Sequence, residues 1–372
     1  MMHDDISARR RALEIPEILL SIFNGLEAND LNMSAQVCKP WSPMAIDVKW
    51  RTCKIQLSCV LSRLAPFFQV VFRPKTVCSF GKTDITKEQW DQFQNEYAGK
   101  VTELDIDVVL SPASRSILEN LVQPHGGPLF PRLWKLYVKP YYSQLGGNFW
   151  RPMTALVACP TLRSVEIAQG NLHGEEMDDV IFAVFAKAPH INDVSIHIPR
   201  HCPAYAAFSE VKQLAISGFF DHESSGACAD LPKLESLTLW EAPDVKEYGF
   251  LDYKIRWKLT YAVTFATLTT LRIYDSDEGR EARFIVSIFR NATIPLLYTI
   301  DLYCTSDVDM TLIRRYLARR SPLLREINLN GEEEKGPIEI EGVGEEGDES
   351  DDDGSEEEEE VDKDGESDYY QW

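Results

Sequence analysis

The residues with catalytic or ligating potential fall into a few short stretches. Gly342-Val343-Gly344-Glu345-Glu346-Gly347 has the spacing of a G-x-G-x-x-G phosphate loop. Such a loop works when a strand leads into it and a helix N-terminus turns its N–H groups toward phosphate. Here carboxylates surround the glycines and would repel phosphate. Residues 349–360, Glu-Ser-Asp-Asp-Asp-Gly-Ser-Glu-Glu-Glu-Glu-Glu, place Asp351, Asp353, Gly354 and Glu360 at calcium-loop positions. Glu349 stands at the first ligand position and Glu356 where an apolar residue would pack, and no amphipathic helices flank the loop. Weak, non-specific cation binding is the expectation. Ser350 and Ser355 each precede three or more acids, which suits an acid-directed kinase and equally suits a solvated tail.

His197, His201 and Cys202 offer zinc-ligand types, but Pro199 and Pro203 break any regular helical spacing and no second ligand pair lies nearby. Asp221-His222-Glu223-Ser224-Ser225-Gly226 holds the residue types of a hydrolytic triad. Adjacency in sequence is not triad geometry, and the stretch reads as a polar loop. No G-x-S-x-G, H-E-x-x-H or phosphate-binding P-loop occurs. The eight cysteines (38, 53, 59, 78, 159, 202, 228 and 304) form no C-x-x-C pair and read as free, mostly packed thiols. The expectation is a protein without cofactor, metal or catalytic site.

Charge and composition narrow the partners. Of the 372 residues 44% are hydrophobic, enough for a large core, and no run approaches the length of a membrane helix. No secretory signal is visible at the N-terminus, so a cytoplasmic or nuclear location is expected. The net charge is −21, and residues 332–372 hold twenty-one acids against two lysines, leaving the other 331 residues at only −2. A self-repelling acidic stretch with few apolar residues is expected to be a disordered tail. Arg9-Arg10-Arg11 reads as a solvated arm. With no basic excess in the body, nucleic acid is not expected as a partner, nor is a membrane.

The elements that must position any functional surface begin at residue 13. Ile15, Ile18, Leu19, Ile22, Phe23 and Leu26 recur at helical spacing and form one wide apolar face. Pro16 suits the first turn and Asn24-Gly25 the end. Asp30 can cap a second helix carrying Leu31, Ala35, Val37 and Cys38, and Ser42-Pro43 can open a third, with Pro40 a possible kink in the second. Roughly forty residues cannot bury that much apolar surface alone, so something else must cover it. The run closely resembles an F-box. Its pattern is met by Ile15-Pro16-Glu17-Ile18-Leu19, Ile22-Phe23, Leu26, Asp30-Leu31, Val37-Cys38-Lys39-Pro40-Trp41 and Trp50. Ile15 replaces the usual Leu before Pro. The resemblance implies docking on the Skp-family adaptor of SCF ubiquitin ligases, and through it on cullin and RING subunits. It implies Leu13, Ile15, Pro16, Ile18, Leu19, Ile22, Phe23, Leu26, Leu31, Val37, Cys38 and Trp41 as adaptor-binding residues.

The body repeats a nine-residue phrase ending apolar–x–x–apolar–x–apolar. It occurs at 98–106, 130–138, 159–167, 188–196, 208–216, 231–239, 265–273, 294–302 and 321–329, with first anchors 20 to 34 residues apart. The last three residues alternate at strand period, and helical stretches occupy several gaps. The pattern resembles the irregular leucine-rich repeats that follow F-boxes, especially in large fungal families, although the usual Asn or Cys after the last anchor is missing. If the anchors face inward, one outward row reads Lys139, Ala168, His197, Ser217, Trp240, Tyr274, Tyr303 and Asn330, with Arg272 and Asp301 beside it. Three consecutive aromatics are what a protein-binding patch needs.

The sequence is thus expected to be an α/β chain: an arm (1–12), a three-helix F-box (13–56), a leucine-rich-repeat-like solenoid of parallel strands (57–330) and an acidic tail (331–372). The expected function is a non-catalytic substrate receptor, with Trp240, Tyr274, Tyr303, Arg272 and Asp301 holding an unidentified protein target. Two alternatives stay open. One is an acidic-tailed repeat protein that binds histones or other basic proteins; the other is an F-box protein acting outside a full ligase.

Overall fold

A computed structural model describes residues 15–63, 70–72, 77–80, 86–107, 109–110, 128–138, 156–168, 174–198, 203–218, 222–240, 261–275, 288–304 and 310–335, with positions 113, 116, 119 and 154. All belong to the compact unit Met1–Ile338. Leu13, Lys139, His201, Cys202, Asp221, the N-terminal arm, the glycine motif at 342–347, the acidic loop at 349–360 and most of the expected tail lie outside the described residues.

The described residues begin with three helices: α1 (Pro16–Phe23), α2 (Ala28–Val37) and α3 (Trp41–Thr52). Pro16 sits in the first turn of α1, where its missing N–H leaves no bond unmade, and Leu19 N–H donates to Ile15 O at 3.1 Å to start the ladder. Two expected caps are corrected. α2 begins at Ala28, which puts Asp30 inside its first turn, where a carboxylate still complements the helix dipole. α3 begins at Trp41, so Ser42 and Pro43 lie within its first turn. Pro40 kinks nothing, because α2 ends at Val37 and Cys38 is extended.

Eleven strands form the main sheet: β1 (Lys54–Gln56), β2 (Glu103–Ile106), β3 (Lys135–Val138), β4 (Ser164–Ile167), β5 (Asp193–Ile198), β6 (Gln213–Gly218), β7 (Ser236–Trp240), β8 (Thr270–Asp275), β9 (Thr299–Cys304), β10 (Glu326–Leu329) and β11 (Glu332–Lys335). They lie side by side in sequence order, the first ten parallel and β11 antiparallel to β10. This is a solenoid-like α/β architecture, each phrase adding one strand to the one before.

The phrase explains itself in the packing. Its positions one, four, seven and nine are buried in all nine copies, Leu329 at the last position being half-buried. A tight turn closes every copy but that at 265–273: the N–H of the first anchor donates three residues back, as in Leu162 to Cys159 O at 3.1 Å and Val211 to Phe208 O at 2.9 Å. The residue after the first anchor then offers one carbonyl to two consecutive N–H groups of the next copy. Trp134 O receives Arg163 and Ser164, Arg163 O receives Asn192 and Asp193, and the series runs on to Tyr298 O with Arg325 and Glu326. This shared backbone ladder registers neighbouring copies without a side-chain Asn ladder, and satisfies groups that burial would otherwise strand.

Helices α4 (Leu57–Ser62), α5 (Lys87–Glu96), α6 (Gly174–Phe185), α7 (His222–Ala229) and α8 (Met310–Arg320) fill gaps between strands. α5 carries a capping box between Thr86 and Gln89 and buries Trp90 and Phe93. The stretch read as a polar loop at 221–226 is instead mostly α7. Ser224 and Ser225 are buried and small enough for its face to pack on the 3-10 turn Pro203–Ala207.

Two domain boundaries also shift. β1 belongs to the sheet, pairing with β2 and burying Ile55 in the main core, so the three-helix unit joins the repeats without a linker. Trp50 packs edge-on against Tyr97 at 5.3 Å, Lys100 pairs with Asp47 at 2.7 Å, and Thr102 Oγ1 donates to Arg51 O at 2.6 Å across the same junction. At the other end β11 lies inside the expected tail. Asn330 (φ 51°) and Gly331 (φ 88°) make the two-residue turn that reverses the chain.

Candidate functional site

Two surfaces stand out from this frame, and the first is on the helices. Leu19 and Phe23 face inward, where with Leu31, Ala45 and Val48 they form a small core of their own. Trp41 closes it edge-on against Phe23 at 5.7 Å. The neighbouring arc of α1 stays in water: Ile15 and Ile22 are each 43% exposed and Ile18 39%. Val37, on α2, is 64% exposed. The expected adaptor-binding set therefore divides in two. Ile15, Pro16, Ile18, Ile22 and Val37 are exposed, whereas Leu19, Phe23 and Leu31 build the support, with Leu26, Cys38 and Trp41 half-buried beside it. Leu20, Met33 and Ile46 are exposed apolar residues that the sequence pattern did not single out. The i, i+4 relation of Met33 to Val37 was the available signal.

The second surface is on the sheet. Strand alternation sends Leu237, Leu239, Leu271, Ile273, Ile300 and Leu302 into the core and the residues between them outward. Parallel register then lines up His197, Ser217, Trp240, Tyr274 and Tyr303 in one row across five strands. Trp240 meets Tyr274 at 5.6 Å and 52°, and Tyr274 stacks flat on Tyr303 at 4.6 Å and 2°. Two residues upstream, Arg272, Asp301 and Asn328 form the adjacent row. Asp301 is buried, and its two oxygens accept from Arg272 Nε at 2.8 Å and Asn328 Nδ2 at 2.6 Å. The triplet fixes the base on which the rings stand. Burial, and then the neighbouring Tyr303, raise the Tyr274 phenol above its ordinary value.

No family model and no curated protein matches the sequence. Among solved structures, a protein from Bacteroides fragilis is similar at 16% identity and a TM-score of 0.27, covering 70% of this chain and 81% of that one. A likeness of that size carries no argument about fold or function.

The N-terminal part of the same sheet face has a different character. Tyr137 donates to Glu103 Oε2 at 3.0 Å, with Lys54 Nζ 4.2 Å and Lys135 Nζ 4.7 Å from its ring centre. Lys135 also pairs with Glu166 at 3.7 Å. Burial and the Glu103 hydrogen bond hold the Tyr137 phenol far above its ordinary value. Here opposite charges already satisfy each other within the sheet.

Among the described residues no group of three His, Cys, Asp or Glu side chains is placed to hold a metal. Cys38, Cys53, Cys59, Cys159 and Cys228 are free thiols. No helix among the described residues is long and apolar enough to cross a membrane.

Proposed function

We propose that the chain is a non-catalytic substrate receptor of an SCF-type ubiquitin ligase, with residues 15–52 acting as an F-box and the sheet as an irregular leucine-rich-repeat surface. The observation that carries the reading is the division of α1 into two arcs. One arc, Leu19 and Phe23, is consumed in building the helix trio, and the other, Ile15, Ile18 and Ile22, is left in water. A helix that keeps isoleucines exposed beside a finished core is built to meet a partner. Burying the remaining half of an Ile or Val adds roughly 1 kcal/mol, half of the ~2 for full burial. Five such residues give ~5 kcal/mol, short of the roughly 8 kcal/mol of a micromolar complex. Met33 and polar rim contacts supply the rest.

In this reading α3, locked onto the repeats through Trp50, Asp47 and Arg51, holds the adaptor surface rigidly against the sheet. The aromatic ladder grips the target, with Trp240 and Tyr303 exposed and Tyr274 between them. Ubiquitin transfer follows from proximity, so the receptor needs no reactive group. Co-purification with a Skp-family adaptor tests it. Wild type and Trp240→Ala/Tyr274→Ala should both retain the adaptor, while Ile18→Glu/Ile22→Glu loses it with an unchanged circular dichroism spectrum. Retention by the isoleucine variant, or no complex with well-folded wild type, would contradict the reading.

A second reading is favoured by one observation, the net −19 over residues 332–372: an acidic-tailed protein that holds histones or other basic partners. Removing residues 336–372 separates the two. It should leave adaptor capture intact under the first reading and abolish histone capture under the second.

A further inference from the structure

The turns that precede the strands form an edge of the sheet, and its character changes along the stack. The third and fifth positions of each phrase lie on this edge, and equivalent positions of neighbouring copies reach one another. In the copies at 208–216 and 231–239 they are self-neutralising: Lys233 pairs with Glu210 at 2.6 Å and Lys212 with Glu235 at 2.6 Å. Lys233 holds the Glu210 carboxyl below its ordinary value, as a settled pair should. In the next copy the positions are Thr267 and Thr269, and both hydroxyls donate to carbonyls of the preceding copy, at 2.7 and 3.0 Å. In the last two copies they become Leu296 and Tyr298, then Leu323 and Arg325. Leu296 is 43% exposed, Tyr298 50% and Leu323 46%. Arg325 is exposed beside Tyr298, its N–H donating to Tyr298 O at 3.0 Å. Arg319 and Arg320, in the last turn of α8, lead directly into the same turn, and Ile294 N–H donates to Arg320 O at 3.2 Å. Among the described residues Arg319, Arg320 and Arg325 have no ion-pair partner.

We propose that this edge, Leu296, Tyr298 and Leu323 framed by Arg319, Arg320 and Arg325, docks an acidic peptide segment that carries apolar side chains. The chemistry follows from complementarity. The guanidinium groups offer paired donors to carboxylates, and the exposed leucines and tyrosine offer area for apolar anchors between them. In the copies at 208–216 and 231–239 the edge's charges close on each other and leave none for a ligand. The chain as a whole, at −21, repels an acidic peptide at long range. At physiological salt that repulsion is screened within roughly 8 Å, so the local arginines decide. The inference stands apart from the ligase reading, because neither the adaptor nor the aromatic ladder takes part.

The test uses the full chain and a short fluorescein-labelled peptide alternating glutamate and leucine, followed by anisotropy at several salt concentrations. Wild type should bind, and more weakly as salt rises. Arg319→Glu/Arg325→Glu and, separately, Leu296→Ser/Tyr298→Ser should each weaken binding about tenfold or more. All four positions are exposed, so unchanged circular dichroism is expected and is checked in both variants. Equal binding by wild type and both variants would overturn the proposal, and so would equally tight binding of a polyglutamate control. A concentration-dependent dimer that disappears in the arginine variant, with no peptide binding, would also overturn it, giving the edge to a second copy of the chain.

Discussion

Leu19 and Phe23 each keep 2% or less of their surface in water, so a charge introduced at Leu19 would sit in a core of only a few side chains. Leu19→Ala should cost about 2–5 kcal/mol of stability in denaturant melts. Ile18→Glu, one residue away, should cost within about 0.5 kcal/mol while removing adaptor capture. The periodicity of α1 showed a single apolar face because Ile15, Ile18, Leu19, Ile22 and Phe23 span about 140° at ~100° per residue. Which side of that arc is covered depends on where α3 packs, and spacing within one helix does not contain that. The aromatic row was more legible. Its phase follows from strand alternation alone, and Trp240, Tyr274 and Tyr303 adjoin in the register the repeats implied. The stacking angle and the Asn328 contact to Asp301 were not legible, since both depend on side-chain rotamers. Asp301→Ala should destabilise by about 1 kcal/mol, because Arg272 keeps 44% of its side chain in water and can be resolvated.

The nine-residue phrase is the element that sequence could reveal, because each anchor is fixed by burial. What it could not reveal is the backbone device, one carbonyl serving two N–H groups of the next copy, which carries no residue signature. The hairpin at the end was signalled by Asn330-Gly331, but the acidic run that follows masked it. Gly331→Val should cost roughly 1–2 kcal/mol through its φ of 88°. It should also uncover β10, raising aggregation measured by light scattering. β11 reads Glu-Glu-Glu-Lys, a sequence of charges alone that discourages a further strand from adding there. The sheet face yields a pH prediction. Tyr137 and Tyr274 both ionise above the 10.0 of free tyrosine, so each favours the fold while protonated. That contribution is complete below pH 10.0 and is lost as pH rises beyond it. Tyr137→Phe should lower stability at neutral pH, by losing the bond to Glu103, and should remove one late-ionising phenol from the ultraviolet titration.

At the scale of the molecule, one continuous core runs from Trp50 to Ile327, and the small helical core meets it through Cys53, which packs on both. Leu271→Ala, in the middle of that core, should cost about 2–5 kcal/mol and lower the midpoint of a single transition seen alike by tryptophan fluorescence and circular dichroism. The order of strands was legible because sequential repeats add sequential strands. The side sheet of Val70–Phe72, Val77–Phe80 and Val109–Leu110 was not, since its short strands repeat nothing. The central claim is that the N-terminal helices and the sheet are separate binding surfaces on one rigid frame, the first for a Skp-family adaptor. Hydrogen–deuterium exchange of the full chain with and without that adaptor tests it most directly. The account predicts new protection in α1 and at the end of α2 around Met33 and Val37, with β7, β8 and β9 unchanged. Protection across those strands, or an unchanged α1 at saturating adaptor, would contradict it.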